Sequence, residues 1–101
     1  MTDDSTDQSS DPDTLRAEID EIDQQLMLLL GLRFRCTDQL SEQLVALGAK
    51  DEPGTGDARI EFMELLAMDT GVSPELAIGL LKAVAHAVKE NHQRIKASRS
   101  H

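Results

Sequence analysis

Residues 15–47, "LRAEIDEIDQQLMLLLGLRFRCTDQLSEQLVAL", decide how this chain folds. Leu15, Ile19, Ile22, Leu26 and Leu29 recur at steps of four, three, four and three, the period of an apolar stripe on a helix. The next step of four lands on Arg33, and the stripe then resumes through Thr37, Leu40, Leu44 and Leu47. A permanently charged guanidinium in such a seam needs an anionic partner, because burying it alone costs far more than packing returns. The spacing predicts one very long helix and makes Arg33 a candidate ligand-binding cation.

Outward from that helix the chain divides simply. Residues 1–13 are acidic, polar and without apolar periodicity, which predicts a disordered tail. Asp13 or Thr14 is the expected N-cap of the first helix, and Gly48 its stop after Leu47. The stretch "AKDEPGTGD" has the Gly/Pro chemistry of a loop. A second helix is expected from Asp57 to Thr70, with Ile60, Met63 and Leu66 inward and Gly71 at its end. Ser73 as N-cap and Pro74 at the first helical position open a third helix. It carries Ala77, Leu81, Val84, Val88 and Ile95 on one stripe out to about Ser98. No strand pattern and no internal repeat is present. The expected organisation is an acidic tail over residues 1–13, a helical domain over 14–98 and a disordered C-terminus over 99–101.

At 101 residues the chain forms one domain. Its formal net charge of −9 argues against nucleic acid or an anionic membrane as partner. A small anionic substrate remains compatible with that charge if the few cations converge in one cleft. The single Cys36 rules out an internal disulfide, and no Cys/His cluster has zinc-ligand spacing, so no metal site is expected. The longest pure apolar run is "LMLLL", so neither a signal peptide nor a membrane span is expected and a cytoplasmic protein is the default.

The first helix, at about 34 residues, spans roughly 50 Å. A compact globule of about 100 residues has a radius of gyration of only about 13 Å. One short and one medium helix cannot cover such a seam from end to end. The uncovered half must meet another chain, and a symmetric dimer is the commonest solution. The expected architecture is all-α, a three-helix protomer with a long first helix in an intertwined homodimer.

The third helix also breaks its own pattern. His92 falls four residues after Val88 and three before Ile95, on the inward face. A lone inward histidine is most often a hydrogen-bonded core residue, but an inward arginine and an inward histidine in one small domain suggest a site. Arg16, one residue off the stripe, has by itself only the pattern of a surface arginine.

"LRAEIDEIDQQLMLLLGLRFRCT" resembles the first helix of the all-helical (AroQ-class) chorismate mutases, with their pattern L-R-x-x-I-D-x-I-D-x-x-L-x-x-L-L-x-x-R. "GVSPELAIGLLKAVAHAVKENHQRI" is similar to the last helix of that family. The resemblance covers residues 15–97. It implies rearrangement of the dicarboxylate chorismate to prephenate, a step of aromatic amino-acid biosynthesis in the shikimate pathway, with no cofactor. The reaction is a concerted intramolecular shift, so the protein must hold a folded conformer and stabilise charge on the breaking ether oxygen. By position, Arg33 matches the arginine that holds a substrate carboxylate. Arg16 matches the arginine that reaches into the partner protomer's site, and His92 matches the position beside the ether oxygen.

The chain also departs from the family. Eleven residues after Arg33 the family has a lysine, where this chain has Leu44. The family's D-x-x-R-E motif falls on Glu52, Thr55 and Gly56 when aligned without gaps. A three-residue insertion would offer Asp57, Arg59 and Glu61 instead, at the wrong spacing. Val88 stands where some members have serine, and Lys50 or Arg59 could substitute for the missing lysine. Losing one well-placed donor costs roughly 10²–10³ in rate, which implies an isomerase of low intrinsic activity. The alternatives are a non-catalytic dimeric regulatory module of the same fold and an isochorismate pyruvate lyase, which would share the arginines.

Overall fold

A computed structural model describes residues 11–50, 53 and 57–99. It is all-helical: α1 runs Pro12–Ala46, α2 Asp57–Thr70 and α3 Pro74–Arg99, with no strand among the described residues. The 35 residues of α1 give it a length of about 52 Å.

Local chemistry sets each boundary. Asp11, not Asp13 or Thr14, caps α1. Its carbonyl accepts the Leu15 N–H at 2.9 Å, and Thr14 Oγ1 donates to its Oδ2 at 2.9 Å. Pro12 then occupies the first helical position, where its missing N–H costs nothing. Two residues expected in the tail, Pro12 and Asp13, are therefore helical, as is Arg99 at the other end.

The far end of α1 closes on Gly48, whose φ of 70° is the left-handed conformation that a glycine adopts without strain. There the Gly48 N–H donates to the Val45 carbonyl at 3.0 Å and the Ala49 N–H to the Leu44 carbonyl at 2.9 Å, a Schellman closure. Gly71 ends α2 in the same way, with φ 76° and the Val72 N–H donating to the Ala67 carbonyl at 3.0 Å. Ser73 opens α3 as expected, its Oγ accepting from the Leu76 N–H at 3.4 Å and its carbonyl from the Ala77 N–H at 3.0 Å.

The chain divides into two units at Arg33/Phe34, inside α1. In the N-terminal unit the stripe Leu15, Ile19, Ile22, Leu26 and Leu29 is exposed in the single chain, Leu29 at 62%. Arg33 is exposed with it, so the chain itself does not supply the burial that the stripe implies.

In the C-terminal unit α2 and α3 pack on each other, and residues 34–46 of α1 join α3 through side-chain hydrogen bonds. The unit's buried apolar residues are Ala67, Ala77, Leu81, Val84 and Val88, with Ser41 and His92 buried among the polar ones. The α1 face that is covered steps through Phe34, Thr37, Ser41 and Leu44, whereas Leu40 and Leu47 are exposed. On α2 the expected inward Leu66 is 42% exposed, and Ala67 at 2% takes its place. Apolar residues ring this helix, so periodicity could not choose its face. The small methyl of Ala67 at that position allows close backbone approach. Ala67→Leu should overpack this contact and lower unfolding free energy by about 1–3 kcal/mol. Urea titration should show a clearly smaller loss for Leu66→Ala.

Candidate functional site

The expected site residues fall into separate environments. Arg16 is exposed and pairs with Asp13 at 3.0 Å, one turn away on α1. Arg33 is exposed and makes no ion pair with any described residue. Seventeen residues of one straight helix separate the two arginines by about 26 Å. One chain therefore cannot bring both to one small ligand.

Val88 and His92 stand one turn apart on α3, each 4% exposed. The imidazole Nδ1 of His92 is buried without a hydrogen-bond partner among the described residues. Such a group forfeits its hydration, at a cost of about 1–3 kcal/mol. Leu44, at the position of the family lysine, is half-buried. Lys50 is exposed just beyond the closure of α1. Arg59 is also exposed, its guanidinium lying 5.4 Å from the centroid of the Phe62 ring one turn on. Glu52 and Thr55 lie outside the described residues. The structure thus brings Val88 and His92 together and holds Arg16 apart from Arg33.

Sequence reasoning missed a polar seam between α1 and α3. Asn91 Nδ2 donates to Asp38 Oδ1, and Arg94 Nη2 donates to Asn91 Oδ1 at 3.1 Å. Further along, Arg99 donates from Nε at 3.2 Å and Nη2 at 2.8 Å to the same oxygen, Glu42 Oε1. Both links join a later residue of α1 to a later residue of α3, so the two segments run in the same direction. An open depression of about 420 Å³ lies beside this seam, lined by Glu42, Arg94, Ile95, Ser98 and Arg99. Another of about 420 Å³ is lined by Glu61, Glu64, Leu65, Met68 and Pro74. Neither includes Arg16, Arg33, Val88 or His92, though the second takes in Glu61, the residue that a three-residue insertion would offer. The only signal for Ser41 was its spacing, four residues after Thr37 and three before Leu44.

Among the described residues no group of three or more His, Cys, Asp or Glu side chains could hold a metal ion. No helix among them is long and apolar enough to cross a membrane. No family model matches the chain, and comparisons with curated proteins and with solved structures return no match.

The orphaned imidazole generates a stability test. Replacing a buried polar group that has no partner by apolar volume of similar size removes its desolvation cost. His92→Leu, of similar size, should therefore be neutral or stabilising by about 1 kcal/mol in urea unfolding. A large loss would show that Nδ1 has a partner in the assembled protein.

Proposed function

We propose that this protein is a chorismate mutase of low intrinsic activity that works as an intertwined homodimer. One observation carries the reading. Arg33 stands exposed in an exposed apolar stripe, with no ion pair to any described residue. A seam that served only to join two chains would have no need of a cation there. A site for a dicarboxylate would need one, because a guanidinium grips a carboxylate bidentately.

In this reading the stripe of α1 packs against a second copy. Each site then takes Arg33 from one protomer and Arg16 from the other, which resolves their separation along a single helix. Arg33 holds a substrate carboxylate, Arg16 closes the site from the partner, and a His92 N–H donates toward the ether oxygen. The chemistry needs no nucleophile, metal or organic cofactor. Its rate comes from positioning the substrate and from donors aimed at the oxygen where charge grows.

A second reading is favoured by the burial of His92 and the half-burial of Leu44. An enclosed imidazole and an apolar side chain offer little to a substrate. On that reading the fold is a non-catalytic dimeric regulatory module.

Pure protein incubated with chorismate separates the readings. Prephenate formation supports the enzyme, and no turnover above the spontaneous rate by a folded dimer supports the module. Release of salicylate and pyruvate from isochorismate would instead identify the lyase. Sedimentation equilibrium should show a dimer at micromolar concentration.

Two predictions follow from the shared site. Arg33→Ala and Arg16→Ala should each lower kcat/KM by roughly 10²-fold or more. Mixing the two inactive chains should restore activity, because each heterodimer regains one intact site. Leu44→Lys should raise kcat, since a lysine stem can lie along apolar surface while its ammonium reaches out. Unchanged turnover in a folded Leu44→Lys variant would mean that another group already supplies that donor.

A further inference from the structure

The depression between α1 and α3 combines both signs of charge with an apolar wall. Arg94 gives one N–H to the neutral Asn91 amide and makes no ion pair among the described residues. Arg94, with further N–H donors, and Ser98, with a hydroxyl, are both lining residues of the depression. They suit a carboxylate. Across from them, Glu42 takes both Arg99 bonds on Oε1, which leaves Oε2 without a hydrogen bond to any described residue. Oε2 suits an ammonium. Ile95, half-buried, adds an apolar side chain to the same lining. The volume of about 420 Å³ lies toward the small end of the range of about 300–1,000 Å³ usual for small-molecule sites.

We infer that this depression binds a free α-amino acid with an apolar side chain. Its carboxylate lies on Arg94 and Ser98, its ammonium on Glu42 Oε2, and its side chain on Ile95. A simple anion would leave the Glu42 oxygen opposed to it. A simple amine would leave the Arg94 charge unmatched. The zwitterion answers both. The inference is independent of the proposed activity, since the binding it describes is read without turnover.

Isothermal titration calorimetry of the full chain with L-leucine and L-phenylalanine tests it. Saturable binding of at least one is expected. For that amino acid, the N-acetyl derivative, which lacks the ammonium, and the amide, which lacks the carboxylate, should each bind roughly ten- to a hundredfold more weakly. That is the size that losing one charged hydrogen bond produces. Glu42→Gln should weaken the amino acid but not its N-acetyl form, and Arg94→Gln should weaken the amino acid but not its amide. Both side chains lie on an open surface, and circular dichroism confirms that the variants fold. No saturable binding of either amino acid overturns the inference, as does equal affinity for the N-acetyl form.

Discussion

The exposed stripe of α1 is the constraint on which the rest of this protein turns. Burying one large aliphatic side chain contributes about 1.5–3 kcal/mol, whereas a whole domain is stable by only about 5–15 kcal/mol. Leu15, Ile19, Ile22, Leu26 and Leu29 all remain exposed in the single chain. The buried apolar set of the C-terminal unit is modest beside them, and two of its five members are alanines. The largest reserve of hydrophobic stabilisation therefore lies on a face that one copy leaves in water. A monomer seldom tolerates a patch of that kind, which is why the proposed function begins with a second chain.

The elements that were legible from sequence are those set by local backbone chemistry. Gly48 and Gly71 end helices because both adopt positive φ, and Ser73–Pro74 starts one because a hydroxyl cap and a fixed φ suit that position. The start of α1 was harder. Three capping side chains, Asp11, Asp13 and Thr14, compete in "DPDT", and only the geometry selects Asp11, which places Pro12 at the first helical position. The face of α2 was legible only in part: Ile60 and Met63, expected inward, are half-buried, but Leu66 is exposed. With apolar residues around its whole circumference, neighbouring helices decide that Ala67 turns inward and Leu66 does not.

The candidate site shows the same division between local and long-range information. Val88 and His92 could be placed inward because α3 has one dominant stripe, and both are buried. Arg33 could be singled out because it interrupts a stripe, but the sequence pattern cannot say which chain covers that stripe. The links from Asp38 to Asn91 and from Glu42 to Arg99 had no local signature. They depend on how far α3 is shifted along α1, a long-range quantity that no local sequence pattern encodes. Glu52 and Thr55, the other expected polar residues, fall in a stretch whose Gly/Pro composition predicts a loop without specifying its path.

Charge then determines where an anion can dwell on such a molecule. A chain with a net charge of −9 repels carboxylates over most of its surface. Only places where cations lack anionic partners escape that background. Arg16 is not such a place in the single chain, because Asp13 neutralises it at 3.0 Å. This ion pair is exposed and separates at little cost, so a dianionic substrate could displace Asp13. Arg33 and Arg94 need no such displacement. Leu44, where the resembled family carries a lysine, takes part in the closure of α1. Its carbonyl accepts the Ala49 N–H in the turn that ends the helix, at a position where an apolar side chain commonly packs against the residue beyond the glycine. An apolar side chain suits that closure, whereas the proposed reaction would draw on a donor there, so under the proposed function the two demands on this position oppose each other.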